Sequence, residues 1–290
     1  MLLATDWYIY RMRIPVTALP SGEPIPVFGL GTWMMGEVDK KRADEVAALK
    51  LGLDLGATLI DTAEMYGDGE AEDIVGEAIA GRRDGLFLVS KVLPENASRK
   101  DTVAACEGSL KRLRTDRIDL YLLHWRGSTP LQHTLEAFIQ LQREGKIRHW
   151  GVSNFDTDDM EELLALPGGD TCATNQVLYN LKRRRIEYDL VPFCRNRNIP
   201  IIAYSPIEQG RLLGVAALKE VASRHEATTA QVALAWLLGK PATIVIPKAT
   251  NAVHLRENFA ALDLELTDDD VAVLDRAFPP PEKKYALEML

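Results

Sequence analysis

Cysteine is scarce in this chain and forms no pattern: Cys106, Cys172 and Cys194 are scattered, odd in number and without a CxxC pair. A disulfide framework and a cysteine-based metal site are thereby disfavoured, and buried thiols in a reducing compartment are the simplest reading. Excess positive charge is missing too, since the 290 residues carry a formal net charge of -8. That argues against a nucleic-acid or anionic-membrane partner, whose phosphates need a basic surface. A small phosphate-bearing ligand is not excluded, because it needs only a local cluster of donors. No apolar run approaches the roughly 20 residues of a membrane-spanning helix. The opening stretch, MLLATDWYIYRMR, has an apolar patch but no basic segment ahead of it and no small-residue cleavage site. Residues 1–13 therefore read as an untidy leader that need not be ordered, not as a signal peptide, and a cytoplasmic protein is expected.

Several chemical signatures are also absent. The first glycine-rich stretch, FGLGTWMMG, does not fit GxGxxG, and the surroundings of Ser153, WGVSNF, do not form a nucleophile elbow. There is no HExxH. Asp61, Glu64 and His124 make a metal trio only on paper, unsupported by a second histidine. No low-complexity linker divides the chain, so residues 14–290 are expected to form one domain.

What is present is 47% hydrophobic and 26% charged, ordinary for a globular protein. Eight short β-branched or apolar runs, at 27–30, 59–61, 86–91, 118–123, 149–153, 174–177, 201–204 and 243–246, predict strands. Between them, segments such as 43–55, 71–80, 101–112, 131–143 and 229–238 repeat apolar residues at helical spacing. Ser128 and Thr129 offer a cap before Pro130, and Asn251 precedes what reads as the last helix. Strands alternating with helices throughout imply parallel βαβ units. Eight repeats in this length predict a closed (β/α)8 TIM barrel, an α/β fold. Ahead of it, IPVTALPSGEPIPVFGLG reads as an N-terminal β-hairpin turning at Ser21–Gly22 and plugging the barrel floor.

A barrel concentrates chemistry at the C-terminal ends of its strands. Three predicted strands end on or run into an ionisable residue: Asp61 after TLI, Lys91 after FLVS and His124 after LYLL; Tyr66 lies in the loop after Asp61. A phenol is a poor acid, with a reference pKa of about 10. A cation held nearby would lower that value, and Lys91 is the cation available. Asp61 would hold the lysine and keep it charged, and His124 would orient a substrate oxygen. Each residue alone has an ordinary structural explanation, as a helix cap or a solvated strand end. All four at neighbouring strand ends suit proton transfer better.

The runs GATLIDTAEMYGDGEAEDIVGEA, LVSKV, YLLHW, GVSNF, NQVLYN, AYSPIEQGRL and IPKAT resemble the aldo-keto reductases, in the family's order over nearly the whole chain. Within the family the chain looks most like short bacterial members described as methylglyoxal reductases. The resemblance implies a barrel binding NADPH or NADP+, hydride transfer to a small carbonyl substrate, no metal, and a monomer. It assigns Asp61, Tyr66, Lys91 and His124 to catalysis, with Tyr66 as proton donor. Ser153, Asn154 and Gln176 match residues that hold the nicotinamide carboxamide, and Tyr204 matches the aromatic that stacks on the ring. Gly31, Thr32 and Trp33 fall at the nicotinamide end, and Ser205, Pro206, Gly210 and Arg211 beside the pyrophosphate. Lys248 matches the 2′-phosphate ligand, with Ala249 and Thr250 next to it; Glu257 and Asn258 match adenine contacts.

The adenosine end departs from the family pattern. Members with strong NADPH preference often carry a serine after the lysine and an arginine early in the next helix, where this chain has Ala249 and His254. Arg256 does not replace that arginine, because two helical residues turn a side chain by about 200°. NADPH remains the expected cofactor and NADH the alternative. Trp33, Met65 and Trp125 match pocket-lining positions, giving an apolar rim around the polar corner of Tyr66 and His124. The short, proline-interrupted end of the chain predicts an open pocket. Two other functions fit the same residues: a slow redox-sensing subunit, and an enzyme working mainly as an alcohol or sugar dehydrogenase.

Overall fold

Residues 14–290 are described by the computed structural model; the leader expected at 1–13 lies outside the described residues. Two extended runs, β1 (Val16–Ala18) and β2 (Pro24–Pro26), pair antiparallel through a turn at Gly22, whose φ is 85°. The next eight strands pair parallel with their sequence neighbours. They are β3 (Gly29–Gly31), β4 (Leu59–Asp61), β5 (Phe87–Val92), β6 (Ile118–Leu123), β7 (Ile147–Ser153), β8 (Asn175–Leu178), β9 (Ile201–Tyr204) and β10 (Thr243–Val245). Closure runs through Phe28, which bridges Val245, and through Gly31 N–H, which donates to the Pro247 carbonyl at 3.1 Å. Gly31 is needed at this seam. A β-carbon there would sit 2.6 Å from the Ile246 carbonyl oxygen, inside van der Waals contact.

The barrel has the two cores that period-two strands dictate. Leu59, Phe87, Val89, Leu120, Leu122, Ile202 and Ile244 point inward, and the hairpin residues Leu19 and Ile25 pack beneath them. The hairpin therefore plugs the floor, as its sequence predicts. Alternate residues, such as Ile60, Leu88, Tyr121 and Leu123, face outward into the main core under the helices. Those helices are α1 (Arg42–Leu55), α2 (Glu70–Ala78), α3 (Arg99–Leu113), α4 (Leu131–Arg143), α5 (Thr157–Ala165), α6 (Leu190–Arg195), α7 (Ala216–Arg224), α8 (Thr229–Leu238), α9 (Ala252–Ala260) and α10 (Asp268–Ala277). Reciprocal capping boxes open α5 (Asp156 with Asp159), α8 (Thr228 with Gln231) and α10 (Thr267 with Asp270). Side-chain caps of this kind contribute about 1 kcal/mol each.

The expected elements are all present, five of them at the expected bounds and the others with ends displaced by one or two residues. The first barrel strand begins at Gly29, not residue 27, because Val27 accepts from Val245 N–H and Phe28 bridges β10. Neither Ser128 nor Thr129 caps α4. Pro130 is itself the extended residue before the helix, with ψ 130° and no side-chain cap. Asn251 does cap α9, accepting from Val253 and His254 N–H, but α10 follows, so α9 is not the last helix. Among the described residues no helix is long and apolar enough to cross a membrane.

Candidate active site

The inward parity of β4, β5 and β6 carries on past the apolar layers. Leu59 is followed inward by Asp61, Phe87 and Val89 by Lys91, and Leu120 and Leu122 by His124. Three polar side chains thus arrive together at the upper end of the barrel. Tyr66 joins them from the 3-10 turn Tyr66–Gly69.

Lys91 is fully buried, and its ammonium has three acceptors. It donates to Asp61 Oδ1 at 2.7 Å, to the Thr62 carbonyl at 2.9 Å and to the Tyr66 hydroxyl at 3.2 Å. Burial works against its charge, but Asp61 and then Tyr66 outweigh the desolvation and raise its pKa above the ordinary lysine value. The second Asp61 oxygen accepts from Gln176 Nε2 at 2.6 Å, across the barrel from β8. Gln176 also lines the cleft, with its second amide N–H and its carbonyl oxygen not engaged by Asp61.

Tyr66 is buried beside Lys91 and Asp61, which act on it in opposite directions. Burial raises its pKa above the ordinary tyrosine value, and the lowering by Lys91 does not offset this because Asp61 pushes the same way as burial. The hydroxyl is therefore a neutral phenol that keeps its proton across the physiological range. His124 is pushed down to about 2 by burial and by Lys91, so its imidazole is neutral. Its ring meets that of Tyr66 edge-on, with centroids 5.8 Å apart, and its Nδ1 has no hydrogen-bond partner among the described residues.

Asn154 sits in the left-handed region at φ 58° and is fully engaged: Nδ2 donates to the His124 carbonyl at 3.0 Å and to Ser153 Oγ at 3.1 Å, while Oδ1 accepts from the Tyr204 hydroxyl at 2.9 Å. Thr32 is buried, its hydroxyl donating to the Asp61 carbonyl at 2.9 Å.

Thr32, Asp61, Tyr66, His124, Asn154 and Gln176 line a cleft of about 620 Å³, and Lys91 lies behind them. Trp33 and Met65 are part-exposed at its rim, and Trp125 packs against His124 with ring centroids 4.9 Å apart. Tyr204, Ser205, Pro206 and Gly210 line it as well, as do Gly31, Lys248 and His254. Desolvation, together with Lys41 nearby, lowers the Lys248 pKa from the ordinary lysine value.

Five expected cofactor contacts are not among the residues lining the cleft: Arg211, Ala249, Thr250, Glu257 and Asn258. Arg211 turns to Glu208, 3.3 Å away, and Asn258 is buried within the packing of α9. Glu64, the middle of the metal trio drawn on paper, points elsewhere and accepts from Leu93 N–H at 2.7 Å and Asn96 Nδ2 at 2.9 Å.

Other lining residues escape sequence reasoning. Ile246, Pro247 and Gln209 lie inside recognised runs, so their neighbours were a signal for them. Ile207 lies inside such a run too, whereas Met34 and Leu213 do not. Met289 and Leu290 are the clearest omission: the 279–290 segment, expected to leave the pocket open, returns to the mouth and walls one side of it.

The model of the Aldo/keto reductase family matches residues 27–278. The chain belongs to this family. It is 52% identical over 271 residues to methylglyoxal reductase YeaE of Escherichia coli (strain K12), covering 92% of this chain and 95% of that protein. It is 35% identical over 257 residues to a glyoxal reductase of Bacillus subtilis (strain 168), covering 89% of this chain and 90% of the relative. Among solved structures, an aldo-keto reductase from Klebsiella pneumoniae in complex with NADPH superposes with a TM-score of 0.93 at 49% identity, covering 96% of this chain and 100% of the other. The chain is thus an oxidoreductase of the aldo/keto reductase family, built on the expected barrel.

Proposed function

We propose that this aldo/keto reductase reduces the carbonyl of small aldehydes and ketones to alcohols with NADPH, with Tyr66 giving the proton. The 2-oxoaldehydes such as methylglyoxal are the first substrates to consider and keto-sugars the next. The observation that carries the reading is the single ammonium of Lys91 bonded at once to Asp61 and to the Tyr66 hydroxyl beneath an apolar cleft.

The cleft's chemistry fits an extended dinucleotide. Lys248 and His254 offer cationic and imidazole groups that a phosphate could meet, and the Tyr204 ring and the buried polar side chains of Ser153 and Asn154 line the same cleft. Bound there, NADPH supplies a hydride for the carbonyl carbon. The remaining work belongs to this chain's residues. Tyr66, a neutral phenol, holds a proton at the site where negative charge would develop on the carbonyl oxygen. Lys91 stabilises the phenolate left behind, and Asp61 keeps the lysine in place and charged. His124 is neutral and adjoins the phenol, so it can orient the oxygen without adding a charge. Trp33, Met65 and Trp125 exclude water around the reacting carbon. The names of the Escherichia coli and Bacillus subtilis relatives support the 2-oxoaldehyde choice, and the Klebsiella pneumoniae complex supports the cofactor.

The test is loss of NADPH absorbance against a panel of aldehydes, ketones and keto-sugars, repeated with NADH. Turnover of 2-oxoaldehydes, faster with NADPH, is expected. No carbonyl-dependent oxidation of either cofactor across the panel would contradict the reading.

A further inference from the structure

The carboxylate of Glu208 is completely buried and takes no part in the chemistry above. It lies in the 205–213 loop beside the cleft, where Ser205, Glu208 and Gln209 all have φ between 48° and 56°. Three such residues in the left-handed region are costly, and a backbone of this kind persists only when its surroundings hold it. Asn180 Nδ2 donates to the Ser205 carbonyl and to Glu208 Oε2, both at 2.9 Å. Arg183 donates to Glu208 Oε1 from Nε at 3.1 Å and from Nη2 at 2.8 Å.

The third donor of the same guanidinium points elsewhere. Arg183 Nη1 donates to Glu288 Oε1 at 2.7 Å, and Arg185 approaches the other oxygen of Glu288 at 3.4 Å. Glu288 immediately precedes Met289 and Leu290, which wall the mouth of the cleft, while Gln209, Gly210 and Leu213 of the loop wall it from the other side. One planar fork therefore joins two segments distant in sequence that both line the cleft. A lysine ammonium lacks that fixed fork of donors.

We propose that Arg183 is a positioning residue that latches the 279–290 segment to the 205–213 loop, so that Met289 and Leu290 limit the size of carbonyl substrate admitted. The size limit rests on reading the cleft as a carbonyl site, whereas the latch does not. Releasing Glu288 frees one wall only. Removing Arg183 frees that wall and also leaves the buried Glu208 without its main counter-charge, so the loop loosens with it.

The experiment compares Glu288→Gln, Arg183→Met and the double variant with the wild type by backbone hydrogen exchange, and by kcat and KM for methylglyoxal and a bulky aromatic aldehyde. Exchange in 279–290 is expected to quicken in both single variants, and in 205–213 chiefly in Arg183→Met. The ratio of kcat/KM for the bulky over the small aldehyde is expected to rise about threefold in each, through KM, as for loss of a part-exposed ion pair. The double variant should fall well short of additivity, exceeding Arg183→Met only by what loss of the 3.4 Å Arg185–Glu288 contact adds, because both changes break the Arg183–Glu288 link. Unchanged exchange in 279–290, or additive effects in the double variant, would overturn the latch. Faster exchange with an unchanged size ratio would overturn the size limit. Absence of turnover on every carbonyl would count against the proposed function, and the exchange result would still decide the latch.

Discussion

Gln176 reaches across the barrel to donate to one oxygen of Asp61 at 2.6 Å, while Lys91 holds the other at 2.7 Å. The carboxylate is fixed between donors from β8 and β5, and the lysine that meets Tyr66 is fixed through it. Orientation of the phenol thus depends on closure of the whole barrel.

Buried ion pairs are unforgiving when one partner is removed. Asp61→Asn leaves a buried ammonium without its counter-charge, and Lys91→Met leaves a buried carboxylate. Each is predicted to cost about 3–5 kcal/mol of unfolding free energy. Combining them should cost clearly less than the sum, since no lone charge remains. Urea unfolding of the three variants checks this, and strictly additive losses would show that the two groups are not energetically paired.

His124 makes the fold acid-sensitive in a defined window. Its pKa is pushed down to about 2 when folded, against an ordinary value of 6.5. Between those values the unfolded chain binds a proton that the folded chain does not, so stability falls as pH drops below 6.5. One proton corresponds to about 1.4 kcal/mol per pH unit. Replacing it by a neutral residue, His124→Gln, is predicted to remove about that much from the slope between pH 6 and pH 4. Denaturation midpoints across this range provide the check. An identical slope in the variant would mean that the imidazole is charged in the folded protein.

The catalytic corner was largely legible because each strand announces its own end. Asp61, Lys91 and His124 continue the inward, every-second-residue series of apolar runs, and that parity survives folding intact. What burial and closure create was not legible. Lys91 alone would acidify a phenol, yet complete burial and the nearby Asp61 reverse the direction for Tyr66. The Gln176–Asp61 bond joins strands that are not neighbours in the barrel order, so no local spacing announces it. Met289 and Leu290 belong to a segment with no helical or strand period, held instead by Glu288. At the adenosine end, Lys248 and His254 line the cleft.

These two residues bear on cofactor choice. Lys248 is a cation lining the cleft, followed by Ala249 and with His254 also in the lining. A single charge-assisted hydrogen bond is worth about 1.5–3 kcal/mol, or roughly 10–100-fold in affinity. Lys248→Ala is predicted to raise the KM for NADPH within that range and to leave NADH nearly unaffected. Parallel kinetics with both cofactors test it. An equal rise for both would remove Lys248 from the 2′-phosphate.

The most direct test of the central claim is the single-turnover reduction of methylglyoxal by NADPH in wild type and in Tyr66→Phe. The phenylalanine keeps the ring and its packing and deletes only the hydroxyl that Lys91 holds at 3.2 Å. The account predicts unchanged NADPH affinity and a reduction rate lower by about 10²–10⁴-fold. A folded Tyr66→Phe variant that reduces methylglyoxal at the wild-type rate would contradict it.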